Sequence, residues 1–153
     1  MNQVVAAIDI GGTNTVIGIV DREGNILDQA IVSTTDFPDP EKLVHAVSMK
    51  VQDLLTANEK HAASAPLAGV GIGAPNGNYF SGTIEFAPNL KWKGIIPLAN
   101  YFSESLGVKA VLTNDANAAA LGEMYFGGAK GMKDFIFVRS EEHTSELQSP
   151  CNL

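Results

Sequence analysis

Residues 4–20 read VVAAIDIGGTNTVIGIV, two apolar runs held apart by Gly-Gly-Thr-Asn. The first run, Val4 to Ile10, stops at Gly11-Gly12. The second, the β-branched run Thr15 to Val20, stops at the polar cluster Asp21-Arg22-Glu23-Gly24-Asn25. Short apolar runs bounded by turn residues predict strands. A third run, Ile26 to Thr34, extends them to an antiparallel meander.

Working outward, Asp39-Pro40-Glu41 offers a helix N-cap, a proline at the first helical position and an early acid. Leu43, Val47, Val51 and Leu54, with Val44 and Leu55 beside them, recur at helical spacing to about residue 58. Ala68 to Gly73, between Pro66 and Pro75, predicts a buried strand whose glycines allow close backbone approach. A loop containing Gly77, Asn78 and Gly82 is expected next. Pro97 to Leu106 reads as a helix closed by Gly107, Val108 to Leu112 as a strand, and Asp115 to Phe126 as an alanine-rich helix closed by Gly127-Gly128. Asp134 to Val138 then begins a further strand. The order predicts an α/β layer structure with a mixed sheet. No internal repeat is visible.

Composition bounds the function. A chain of 153 residues, 45% hydrophobic, suffices for one core. Ten basic against 17 acidic residues, net −7, provide no positive field for a nucleic-acid backbone, so nucleic acid is not an expected partner. MNQVVAAIDIGG lacks the basic run and cleavage site of a signal peptide, and no apolar stretch reaches bilayer length. A cytoplasmic protein without a membrane partner is expected. The single cysteine, Cys151, excludes a disulfide framework.

After Val138 the pattern breaks. RSEEHTSELQSPCNL has almost no apolar residue and cannot continue the strand begun by Asp134 to Val138. It resembles the translation of a common sequencing-adapter oligonucleotide. Residues 1–138 are therefore expected to be the native part, and 139–153 a non-native tail, an artefact whose Cys151 and His143 are not metal ligands. Without the tail's charges the balance stays acidic.

Two constellations carry chemistry. In Asp9-Ile10-Gly11-Gly12-Thr13-Asn14 the glycines remove Cβ atoms that would keep a phosphate from backbone N–H groups, and Thr13 and Asn14 add side-chain donors. Asp9 stands where a carboxylate could hold hydrated Mg²⁺ through water. Gly-Gly is equally a serviceable hairpin turn, and Asp or Asn commonly flanks turns. The segment is neither a Walker loop, having no GK lysine, nor a Rossmann fingerprint, having no helix directly after its glycines.

The second constellation, Thr113-Asn114-Asp115-Ala116-Asn117, is a strand running into a helix. Asp115 falls in the first helical turn, where unpaired N–H groups and the positive dipole end suit a carboxylate. It fits a general base that accepts a hydroxyl proton as the oxygen attacks phosphorus, and it fits an ordinary helix cap as well. Between the two lie Ala74-Pro75-Asn76-Gly77-Asn78 and Ala87-Pro88-Asn89-Leu90. Their amides suit the hydroxyls of a sugar, although Pro-Asn is also common turn chemistry. Trp92 could cover a sugar face or simply pack.

In this order, AIDIGGTN, GIGAPNG, EFAPNLKW and NDANAAALGE, with the later GGAKG, resemble the N-terminal pattern of ROK (repressor, open reading frame, kinase) sugar kinases over nearly all of residues 3–138. The resemblance implies the N-terminal lobe, truncated, of an actin-like ATPase, ribonuclease H-like fold. It also implies transfer of the γ-phosphate of ATP, with Mg²⁺, to a hexose hydroxyl, glucose being the common case. Asp9, Gly11, Gly12, Thr13 and Asn14 would meet Mg-ATP, with Asp9 the metal residue. Asp115 would be the catalytic base, and Gly77, Asn78, Asn89, Asn114 and Asp115 would contact the sugar.

The second phosphate loop, further Glu/His sugar contacts, the adenosine pocket and the cysteine-rich zinc motif of the family are not found in this sequence. No turnover is expected from this chain by itself, and the complete protein is expected to be a homo-oligomer. Two other readings stand beside the kinase. One is a ROK sugar-responsive regulator, which would carry a winged helix before the kinase-like region, where only eight residues precede Asp9. The other is a non-sugar actin-like ATPase.

Overall fold

In the computed structural model, which describes residues 3–58 and 65–138, the leading runs form β1 (Val4–Ile10), β2 (Asn14–Val20) and β3 (Ile26–Ser33). A single 3-10 turn, Thr34–Asp36, leads to α1 (Pro40–Asn58). Then come β4 (Leu67–Ala74), the short strands β5 (Gly77–Asn78), β6 (Thr83–Glu85) and β7 (Ile95–Ile96), α2 (Leu98–Leu106), β8 (Ala110–Asn114) and α3 (Asp115–Phe126).

The main sheet runs β3-β2-β1-β4-β8. The meander is antiparallel, with Ile8 opposite Ile17 and Val16 opposite Ile31. β4 lies parallel to β1, and β8 parallel to β4. The expected mixed α/β sheet is therefore present, and its parallel members are β1, β4 and β8.

Side chains alternate across the sheet because strand residues point to opposite faces in turn. Val4, Ala6, Ile8 and Ile10 are buried, while Val5, Ala7 and Asp9 are exposed. The buried face, with Ile17, Ile19, Val70, Ile72 and Leu112, shares one core with Leu43, Val47 and Val51 of α1 and Leu98 and Phe102 of α2. Burying each large aliphatic or aromatic side chain here contributes about 1.5–3 kcal/mol.

Local chemistry sets the helix ends. Asp39 Oδ1 accepts the Glu41 N–H at 3.0 Å, the N-cap predicted for α1. Gly107 closes α2 in the left-handed region at φ 68°, its N–H bonded to the Ser103 carbonyl at 2.9 Å. Ser103 Oγ in turn accepts the Ala110 N–H at 2.9 Å, tying the start of β8 to the end of α2.

Three expectations need correction. The stretch read as a loop after β4 contains a second sheet, β5-β6-β7, whose strands are too short to show a period. β8 covers Ala110–Asn114 rather than Val108–Leu112, because its limits are set by the ladder to β4 from Val70 to Ala74. Asp134 to Val138 forms no strand, since no ladder partner exists for it among the described residues. The proposed tail, 139–153 with Cys151 and His143, lies outside the described residues.

The chain divides between Asp115 and Ala116 into two units. All elements through β8 belong to the first. In the second, α3 ends where Gly127 and Ala129 donate to the Glu123 carbonyl at 3.1 and 3.2 Å, and Gly128 donates to Glu123 Oε2 at 2.8 Å.

Candidate functional site

The β1–β2 turn closes with the Gly11 N–H on the Asn14 carbonyl at 2.9 Å. Neither Gly11 nor Gly12 has a positive φ, so space rather than backbone angle explains them. A Cβ on Gly11 would stand 2.9 Å from the Asn14 carbonyl oxygen, and one on Gly12 would stand 2.7 Å from that of Asn89. Among the described residues the N–H groups of Gly12 and Thr13 donate to no backbone carbonyl, and the side chains of Thr13 and Asn14 are exposed. Two adjacent N–H groups with a hydroxyl and an amide beside them form a donor set suited to an anion.

The turn is buttressed from the far end of β3. The Thr13 carbonyl accepts the N–H groups of Thr34 and Thr35 at 2.8 and 3.4 Å. Beneath it the hydroxyls of Thr15 and Thr34 meet at 2.8 Å in the core. The same 3-10 segment holds the Asn89 loop: Lys91 Nζ donates to the Thr35 carbonyl at 2.9 Å and Trp92 Nε1 to that of Phe37 at 3.1 Å. Trp92 is only 5% exposed, so of the two roles open to it, packing is the one observed. These bonds seat exposed Asn89 against Gly12.

The second strand-end loop follows β4. A Cβ on Gly77 would collide with the carbonyl of Thr113, so only glycine lets this loop lie against β8. Asn78 is half-buried, with its amide nitrogen on Glu85 Oε1 at 2.9 Å and its amide oxygen accepting the Phe80 N–H at 3.0 Å. Asn114 ends β8 and Asp115 opens α3; both are half-buried.

Strand register brings these positions to one edge. Asp9 is paired with Gly73, Gly73 with Thr113, and Ala74 with Asn114. Asp9, the Gly77–Asn78 loop and Asn114–Asp115 thus occupy the carboxyl ends of three adjacent parallel strands. β1 and β8 are two strand spacings apart, about 10 Å. The carboxyl edge of parallel strands is where open α/β sheets bind ligands.

Asp9 projects from the exposed face of β1, opposite the core side chains Ile8 and Ile10. Among the described residues no cluster of three or more His, Cys, Asp or Glu could hold a metal. A carboxylate beside a turn suited to an anion is compatible with Mg²⁺, which keeps most of its waters and meets protein through one or two carboxylates plus phosphate. The residues present therefore fit Mg-ATP phosphates.

Glu85 was not singled out from sequence. Its oxygen gathers Asn78, Ser81 and Thr83. The signal available was the run of polar residues at 78, 81, 83 and 85 within a stretch otherwise read as loop. Among the described residues no helix is long and apolar enough to cross a membrane.

The ROK family model matches residues 5–141. A glucokinase of Streptomyces coelicolor is 39% identical over 132 residues, covering 86% of this chain and 38% of that protein. A xylose repressor of Caldicellulosiruptor bescii is 31% identical over 137 residues, covering 88% of this chain and 33% of that one. The crystal structure of a ROK family glucokinase from Streptomyces griseus, in complex with glucose and AMPPNP, superposes with a TM-score of 0.71 at 38% identity, over 88% of this chain and 40% of that one. The chain thus spans well under half the length of these relatives.

Proposed function

The chain belongs to the ROK family, and from that premise we propose that the whole protein phosphorylates a hexose hydroxyl with Mg-ATP, glucose being the first candidate. One observation carries this reading. The Gly11–Asn14 donor turn, the Gly77–Asn78 loop and Asp115 share one edge of one sheet, with Gly12 seated on the Asn89 loop and Gly77 on Thr113. Support comes from the similar glucokinase solved with glucose and AMPPNP.

In this reading Gly12 and Thr13 N–H groups, with the Thr13 and Asn14 side chains, bind phosphate oxygens, and Asp9 orients the hydrated metal. Mg-ATP supplies the phosphoryl group and, through its metal, neutralises part of its charge. Gly77, Asn78, Asn89 and Asn114 bind and orient sugar hydroxyls. Asp115 accepts the proton of the attacking hydroxyl, so that the alkoxide need not form beforehand. Positioning and charge neutralisation supply most of the acceleration in such transfers.

The test is a coupled assay with ATP and glucose on the full-length gene product and its Asp115→Asn variant. Loss of turnover by roughly a hundredfold or more, with nucleotide binding retained, is expected when a general base is removed. Unchanged turnover in the variant, or no turnover with any hexose in the parent, defeats the reading. The 153-residue chain alone, with one phosphate turn, is expected to show no turnover in the same assay.

A second reading, a sugar-responsive regulator, is favoured by the likeness to the xylose repressor. Its test is a DNA-shift experiment with the full-length product, in which sugar-dependent binding to a specific operator would displace the kinase.

A further inference from the structure

Glu85, half-buried on β6, has three polar side chains within hydrogen-bond distance of a single oxygen. Its Oε1 accepts from Thr83 Oγ1 at 2.9 Å and Asn78 Nδ2 at 2.9 Å, and Ser81 Oγ lies 3.3 Å from it. The hydroxyls of Ser81 and Thr83 lie 2.6 Å apart, and with one proton each, Ser81 donates to Thr83 while Thr83 donates to Glu85. The other end of the Asn78 amide is equally committed: Oδ1 accepts the backbone N–H groups of Phe80 and Ser81 at 3.0 and 3.4 Å. An amide oxygen can only accept and an amide nitrogen only donate. Turning the Asn78 amide over would place its oxygen on a carboxylate and its nitrogen on two N–H groups, so one orientation survives.

The backbone reinforces this arrangement. Glu85 N–H donates to the Asn76 carbonyl at 3.2 Å, and Asn76 Nδ2 returns to the Glu85 carbonyl at 3.0 Å. Asn76 itself has φ 52°, a left-handed conformation that asparagine tolerates better than most residues. The loop from Asn76 to Ser81 is therefore wrapped around Glu85, and Gly77 within it rests on the β8 carbonyl of Thr113.

We infer that Glu85 is a positioning residue that locks the Asn78 side-chain amide in one orientation, leaving its second N–H as a donor for a ligand hydroxyl at the carboxyl end of β4. The ligand part rests on the hexose reading above; the lock itself does not. A carboxylate is suited to the task because charge-assisted bonds are about twice as strong as neutral ones. The lowered proton affinity of Glu85, caused first by the Thr83 hydroxyl and next by the Asn78 amide, agrees with an oxygen saturated by donors. Among the side chains bonded to this oxygen none is charged, so the carboxylate is spent on orienting neutral groups rather than on an ion pair.

The experiment follows the Asn78 side-chain NH₂ resonances of the 153-residue chain by ¹⁵N NMR in wild type, Glu85→Gln and Glu85→Ala. The two Asn78 protons are expected to be well separated in wild type, less so in Glu85→Gln, and close to those of exposed asparagines in Glu85→Ala. Ser81→Ala, which removes only the most distant of the three groups, should leave them nearly unchanged and serves if Glu85→Ala fails to fold. Asn78 resonances unmoved in both Glu85 variants overturn the inference.

In the full-length protein Glu85→Ala is expected to raise the hexose KM roughly three- to tenfold with kcat nearly constant, and Glu85→Gln to restore most of it. A fall in kcat with KM unchanged, or no rescue by Gln, marks a merely structural role and also overturns the inference. Glucose titrated into wild type separates the two ideas. Asn78 resonances that respond to Glu85 substitution but not to glucose uphold the lock and defeat the hexose contact.

Discussion

Gly12 lies against Asn89 so closely that a methyl group on it would stand 2.7 Å from the Asn89 carbonyl oxygen. The turn proposed for phosphate and the loop proposed for a sugar hydroxyl are thereby in direct backbone contact. Neither can shift without the other.

That contact predicts a contrast between two glycines. Gly12→Ala is expected to cost about 1–3 kcal/mol, as overpacking against a rigid backbone atom does. Gly71→Ala, where an added Cβ meets nothing within 4 Å, should be neutral or stabilising by up to about 1 kcal/mol. Urea unfolding of the two variants checks this, and equal midpoints would show that the Asn89 loop yields freely.

Gly77 presses on the Thr113 carbonyl one residue before Asn114. Gly77→Ala must move either the loop or the end of β8, and both carry groups assigned to the sugar. In the full-length protein the expected result is a rise in hexose KM of roughly tenfold or more with the ATP KM little changed, since the Gly11–Asn14 turn is not touched. Steady-state kinetics with each substrate varied in turn gives the answer.

The buried hydroxyl pair of Thr15 and Thr34, 2.8 Å apart, anchors the 3-10 turn beneath the Gly11–Asn14 hairpin. Thr15→Val leaves one buried hydroxyl without its partner and is expected to cost about 1–3 kcal/mol. The double variant Thr15→Val/Thr34→Val removes both hydroxyls and should be less destabilised than the sum of the single changes. A double-mutant cycle by denaturant unfolding measures the difference.

Glu85 makes stability depend on acid. Its carboxyl is held below the ordinary value of 4.5, first by the Thr83 hydroxyl and then by the Asn78 amide and Ser81 hydroxyl, with partial burial opposing them. A group whose folded-state value is depressed contributes stability that is fully present above its unfolded value and is lost as pH falls through the folded one. The stability gap between wild type and Glu85→Gln should therefore be constant above about pH 4.5 and shrink on further acidification. Urea midpoints measured down the acid range test this. Asp21, lowered chiefly by the Asn25 side chain, contributes in the same direction in both proteins and cancels in the comparison.

Much of the fold is legible in short stretches. The apolar run Val4 to Ile10, stopped by Gly11-Gly12, marks a strand, and the spacing of Leu43, Val47, Val51 and Leu54 marks the buried stripe of α1. Asp39 and Gly107 mark helix ends. The motifs at Asp9–Asn14 and Asn114–Asp115 are visible for the same reason. Period, capping and turn chemistry act within a few residues, so they are written in neighbouring letters.

What tertiary structure alone decided is which of these pieces touch. The strands at 77–78, 83–85 and 95–96 are too short for any period and exist only through one another's hydrogen bonds. Asn89 against Gly12, Gly77 against Thr113, and Lys91 and Trp92 on the carbonyls of Thr35 and Phe37 join residues far apart in the chain. Glu85 stands in a local run of polar residues at 78, 81, 83 and 85, but which of them reach its carboxylate is decided only when the loop closes around it. Such contacts follow from strand register and close packing, which depend on the whole sheet rather than on any single segment.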